Sequence, residues 1–229
     1  MPRVIIFSAF IVTSALPITA LAQTSADAAV SATAAVEKPW IVWNQNDFFG
    51  TCNNDCGIAV YGGREVTEAM SKIFVTSPNF PWRWDYGNGG VIAGTLSRRL
   101  VTLWQGLDIE PEIGVAQPFG NLHATEGWLA LQIRWTIFPW NDSVRTTIAL
   151  VDGLNFATKV DAEERLRSTP GHHGSVVLNN FTVEASFAAP SHPNYEFIFR
   201  FQHRSGAYTL FNGVYGGAQF ATIGVRYRF

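Results

Sequence analysis

The sequence predicts an all-β fold, an eight-stranded antiparallel transmembrane β-barrel of the outer membrane. Three observations predict it. Apolar and polar residues alternate with period two in one segment after another. The links between those segments alternate between short turns and long loops, the asymmetry of a membrane barrel. The polar face of each segment carries ionised groups of both signs, which suit a narrow lumen and not the core of a soluble sandwich, the competing fold.

Composition sets the frame. Only 15% of the 229 residues are charged, 47% are hydrophobic and 14% aromatic; a typical soluble domain carries roughly 25% charge. So polar-poor a chain must bury much surface or face something other than water. The net charge of −2 excludes the basic surface that a nucleic-acid partner requires.

The elements follow in chain order. "MPRVIIFSAFIVTSALPITALAQ" has Arg3 ahead of an apolar run and closes on Ala20-Leu21-Ala22. That pattern reads as a secretory signal peptide over residues 1–22, removed before Gln23. Residues 23–56 form a spacer and periplasmic lead-in containing "TCNNDCG", where Cys52 and Cys56 are a disulfide candidate in an exported protein. Residues 57–229 form the barrel.

Its strands begin with "GIAVYGG" near residue 57 and "GGVIAGTLS" near residue 89. In "GLDIEPEIGV", Leu107, Ile109, Ile113 and Val115 oppose Asp108, Glu110 and Glu112. In "GWLALQIRW", Leu129, Leu131, Ile133 and Trp135 oppose Ala130, Gln132 and Arg134. "SVRTTIAL" and "NFTVEASFA" repeat the pattern, "EFIFRFQHRSG" follows, and "ATIGVRYRF" ends the chain on alternate apolar residues and phenylalanine. That ending resembles the C-terminal insertion signal of outer-membrane proteins. Tight turns are expected at 139–142 and 190–194 and a short link near Arg98–Arg99, with longer loops near 64–88, 116–125, 157–174 and 207–218. In the lumen, Asp108, Glu110, Glu112, Glu184 and Glu196 are expected to pair with Arg134, Arg145, Arg200, Arg226 and Arg228. Trp82, Trp84, Trp104, Trp128, Trp135 and Trp140 are expected in interfacial belts. About eight strands make a barrel filled by side chains, so a diffusion pore is disfavoured.

One strand poses a chemical question. Phe197, Phe199 and Phe201 define the outward face of "EFIFRFQHRSG", and that face continues into His203 and Ser205. Polar groups facing lipid are costly unless hydrogen-bonded, and two residues apart on one strand they can meet. A serine hydroxyl becomes a nucleophile when an imidazole takes its proton, and a third group fixes that imidazole's tautomer. Counting back from Phe229 by twos brings Gln219 onto the same face of the neighbouring strand.

"HRSG" followed by "YTLFNGVYGGAQFATIGVRYRF" resembles the C-terminal end of the lipid A 3-O-deacylase (PagL-type) family, and "ALQIRWTIFPWNDSVRTTIALVDGLNFAT" is similar to it as well. The resemblance covers residues from about 57 to the end. It implies an eight-stranded outer-membrane barrel acting on lipopolysaccharide in the outer leaflet, with His203 as base and Ser205 as nucleophile on the lipid-facing wall. The scheme needs no metal or other cofactor. Two positions depart from the family: its glutamate is Gln219 here, and the residue after the serine is Gly206, whose N–H is the candidate oxyanion donor. Asn212 and the acids of "DAEER" are further polar candidates, while "GHHG" (His172, His173) reads as a solvated loop ahead of a metal site. A non-enzymatic surface barrel with a silent His/Ser pair is the alternative, and a small-solute channel a distant third.

Overall fold

A computed structural model describes residues 39–44, 49–160, 165, 174–207, 209–211, 213–214 and 217–229. The expected signal peptide lies outside the described residues, as do His172, His173, Asn212 and the acids of "DAEER". The strands are β1 (Ile41–Trp43), β2 (Cys56–Val66), β3 (Tyr86–Arg98), β4 (Val101–Leu103), β5 (Leu107–Phe119), β6 (Glu126–Trp135), β7 (Arg145–Ala157), β8 (Val177–Ala188), β9 (Tyr195–Ser205) and β10 (Gly217–Arg228).

Eight of these strands close on themselves. The order β5–β3–β2–β10–β9–β8–β7–β6 is completed by pairing of β6 with β5, every neighbour antiparallel. Closure leaves no strand edge, which a wall in lipid requires because no water is there to satisfy free backbone groups. The ends of the closed sheet are tied together, Cys56 N–H donating to Phe229 O at 3.3 Å and Phe229 N–H to Cys56 O at 3.0 Å. Among the described residues no helix is long and apolar enough to cross a membrane.

Side-chain direction follows the expected parity. Ile113, Leu131, Leu150, Phe197, Ile223 and Val225 stand exposed on the outer wall, whereas Glu196, Arg200 and Arg226 are buried inside. Period two is therefore the signature of an inverted amphipathic wall, apolar outward and ionic inward. Close packing of the wall depends on Gly224, which faces Tyr61 across β10 and β2; a Cβ there would collide with the Val60 carbonyl.

The lumen is filled by ions in contact. Glu184 touches Arg226 at 2.6 Å, Arg134 at 2.8 Å and Arg200 at 3.3 Å. Glu196 joins Arg228 at 2.5 Å and Arg226 at 2.9 Å, Glu112 joins Arg200 at 2.8 Å, and Glu110 joins Arg228 at 3.1 Å and Arg134 at 3.4 Å. These four carboxylates and four guanidinium groups balance, which is the condition for burying them at all.

Five expectations need correction. Asp108 leaves this network and pairs with Arg99 at 3.4 Å, while Arg145 lies exposed; both sit on the rim of a 550 Å³ cavity at the turn end of the barrel. Trp128 points into the lumen, its Nε1–H donating to Glu112 Oε1 at 3.0 Å, because it shares parity with Ala130 and Gln132. Trp84, part of the β2–β3 connection, is buried against Phe201, while Trp82, Trp104, Trp135 and Trp140 stand exposed. The link after Arg98 is no simple turn either. It contains β4, which pairs with both β5 and β1.

Candidate active site on the outer wall

β9 runs toward the loop end and β10 returns from it, so their antiparallel register decides which side chains meet. Gln219 lies directly opposite His203, and Gly217 opposite Ser205. On the other side of β9, Phe181 of β8 lies opposite His203 and Asn179 opposite Ser205. His203, Ser205 and Gln219 all point outward, the face expected for them.

The imidazole is held in one tautomer. Gln219 Nε2–H donates to the main-chain carbonyl of Glu68, in the β2–β3 connection. A carbonyl only accepts, so the amide nitrogen must face Glu68 and the amide oxygen must face the ring. His203 Nδ1 lies 3.1 Å from that oxygen and therefore carries the proton. Nε2 is left with its lone pair, which is the form a general base requires. Gln219 Oε1 thus fixes the orientation of the imidazole.

Ser205 is buried at the loop end of β9, and its hydroxyl oxygen accepts the Ala207 N–H at 3.4 Å. In this arrangement it makes no hydrogen bond to His203. Empty sites are commonly looser than loaded ones. Gly206 follows, its carbonyl accepting the Phe211 N–H at 3.0 Å. Its Cα is packed so closely on Val214 that a Cβ would overlap the Val214 carbonyl. The chain then turns left-handed at Ala207, with φ of 45°, and at Thr209, with φ of 75°. Such conformations are strained for residues bearing a Cβ, most of all a β-branched one. At Ala207 the turn aims an N–H at the serine oxygen.

The wall below this site is covered by protein. Phe201 faces outward as expected but is 0% exposed, because the connection Thr67–Asp85 folds back over it. Trp84 meets the Phe201 ring edge-on at 5.3 Å between centroids and Phe74 does so at 5.1 Å. Ile73 and Val66 complete the buried cluster.

Residues that period-two reasoning left out also gather here. Glu68 comes from a connection with no periodicity, so no sequence register could have brought it to Gln219. Ala207 N–H is a further oxyanion candidate that a search for polar side chains passes over. Asn179 is opposite Ser205 and donates from Nδ2 to Asp152 Oδ1 at 2.9 Å, both on the outer wall. Outward parity on β8 and β7 was the signal for these two. Cys52 and Cys56, the latter the first residue of β2, are bonded with their Cα atoms 5.4 Å apart, remote in sequence from the His/Ser pair. Among the described residues no group of three His, Cys, Asp or Glu side chains is placed to hold a metal ion.

No protein-family model matches the chain, and no curated protein is significantly similar to it in sequence. Solved structures similar to it include the crystal structure of the outer membrane enzyme PagL, at 12% identity and a TM-score of 0.47, covering 76% of this chain and 99% of that one. Another is the crystal structure of Neisserial surface protein A, at 10% identity and a TM-score of 0.46, covering 79% of this chain and 100% of that one. The barrel itself is established by its closed strand pairing.

Proposed function

We propose that the protein is an outer-membrane ester hydrolase of the lipid A 3-O-deacylase type, exported by a signal peptide over residues 1–22 and embedded in a Gram-negative outer membrane. Its substrate is an ester-linked acyl chain of lipopolysaccharide in the outer leaflet. The observation that carries this reading is the hydrogen-bonded sequence from Glu68 through Gln219 to His203 Nδ1. It leaves a basic Nε2 two residues from a serine on a lipid-facing wall.

In the reaction, Ser205 Oγ attacks the ester carbonyl while its proton passes to His203 Nε2. The carbonyl oxygen becomes an oxyanion within reach of the N–H groups of Gly206 and Ala207. Collapse of this intermediate breaks the ester bond, and the imidazolium returns its proton to the departing sugar oxygen. Water then attacks the acyl-serine, His203 taking its proton, and the fatty acid leaves as Ser205 is regenerated. Gln219 Oε1 holds the ring through both steps.

One observation favours a second reading, a non-enzymatic surface barrel: the Ser205 hydroxyl is turned to Ala207 and not to the imidazole. Mass spectrometry of lipid A from cells expressing the native chain and its Ser205→Ala variant separates the two. Loss of one acyl chain with the native protein alone supports the hydrolase, and identical lipid A supports the silent barrel.

A further inference from the structure

The β2–β3 connection has two unlike faces. Inward, it buries Phe201 beneath Trp84, Phe74 and Ile73 and accepts the Gln219 amide at the Glu68 carbonyl. Outward, it presents Trp82, 75% exposed, stacked on Phe80 with ring centroids 4.6 Å apart, and Val75, 74% exposed. An aqueous loop has no reason to hold a stacked aromatic pair outward. Its fold is nonetheless fixed: Thr67 N–H donates to Asp85 O at 2.9 Å, Trp84 Nε1–H to Asn79 O at 3.2 Å and Tyr86 Oη–H to Pro81 O at 2.7 Å.

Three features identify what meets that outer face. First, it is continuous with the lipid-contacting wall, since the segment lies on Phe199, Phe201 and Ala221 of β9 and β10. Second, the exposed charges of Thr67–Asp85 are Lys72, Arg83 and Asp85, two cations to one anion. Third, the negative charge of Glu68, just before them, is turned inward, with its carboxylate buried and 2.5 Å from Lys72 Nζ. Aromatic and apolar side chains with cations in excess at the rim are the composition of an element lying at a headgroup–acyl boundary bearing phosphate.

We propose that Thr67–Asp85 is a lipid-docked lid: Phe80 and Trp82 rest in a phosphate-bearing leaflet while the opposite face of the segment holds Gln219 beside His203. Docking of the lid is a property of the barrel in its membrane and does not depend on ester hydrolysis. Its consequence for the candidate site is direct. The main-chain acceptor that orients Gln219 belongs to the lid, so a lid lifted from the wall releases the amide, and the tautomer of the ring is no longer set.

The test uses the full chain reconstituted in phosphatidylglycerol-containing vesicles with acyl chains brominated close to the headgroup. Trp82→Phe keeps the stack on Phe80, and the fluorescence difference between native and variant isolates Trp82. The lid requires that this difference be quenched by the brominated lipid and protected from aqueous iodide. A second comparison, Lys72→Gln with Arg83→Gln, is expected to weaken the lipid quenching and raise the iodide quenching. A third, Gln219→Met, removes the donor to Glu68 at nearly constant length and is expected to raise hydrogen exchange across 67–85 and leave 120–125 unchanged. A Trp82 signal open to iodide, or shielded from iodide yet untouched by brominated lipid as in contact with another protein, overturns the proposal. Unchanged exchange in Gln219→Met overturns the latch. Both readouts are independent of catalysis, so their failure is distinguishable from failure of the hydrolase reading.

Discussion

Removing a single charge from the lumen should be among the most damaging changes this barrel can suffer. Glu184 is the junction of the network, in contact with Arg226 at 2.6 Å, Arg134 at 2.8 Å and Arg200 at 3.3 Å. At an effective dielectric constant of about 20, each contact is worth roughly 4 kcal/mol in isolation, about 12 kcal/mol gross for three. Desolvation of the ions cancels most of that. Glu184→Gln keeps the shape and one acceptor but leaves one uncompensated positive charge in a closed interior. Breaking a buried pair in this way costs about 3–5 kcal/mol, a factor of roughly a hundred to several thousand in the folded ratio. Urea titration in micelles, read by the shift in electrophoretic mobility between folded and unfolded barrel, measures it. Adding Arg226→Gln to the same chain restores neutrality and should recover part of the loss. A destabilisation of Glu184→Gln below about 1 kcal/mol would refute the reasoning, because it would mean that the lumen charges are solvated by water.

Two further outcomes concern the site. Gln219→Glu adds charge beside the developing imidazolium, a change bounded by the roughly ten-thousandfold that separates acid from amide in a soluble triad. It also sets a carboxylate against the Glu68 carbonyl, forfeiting that hydrogen bond at a cost of about 1–3 kcal/mol. The first effect is larger, so release of fatty acid from purified lipopolysaccharide should rise by roughly a hundredfold; a rate at or below the native one would count against the triad. Ser205→Ala should lose that release entirely yet fold normally, since the serine hydroxyl's hydrogen bond to Ala207 is long. A large drop in its urea midpoint would show that Ser205 is structural.

Much of the fold was legible because a membrane barrel writes its sidedness into alternate residues. The parity that placed Phe197 outside and Arg226 inside also carried Gln219 to His203, since register follows once two antiparallel strands and their sidedness are fixed. Parity also reads Trp128 correctly when it is applied to that residue, as its place beside Ala130 and Gln132 shows. What escaped has no period. Strands β1 and β4 are three residues each, too short for alternation to register. Thr67–Asp85 is a connection whose helical turns and aromatic contacts are tertiary, so the burial of Phe201 and the Glu68 carbonyl beside Gln219 were invisible. The pairing of Asp108 with Arg99 depends likewise on the course of the link through β4.

The central claim is that Ser205 is a nucleophile activated by His203, and reaction with a long-chain alkyl fluorophosphonate tests it most directly. The serine oxygen bonds to phosphorus, fluoride departs, and His203 takes the hydroxyl proton, so the adduct reports activation without requiring the natural ester. Intact mass of the folded native barrel should show one adduct, mapped to Ser205 by fragmentation. It should be absent from Ser205→Ala and strongly slowed in His203→Ala. A native barrel that stays unlabelled while correctly folded in lipid, or that labels equally well without His203, would contradict the account.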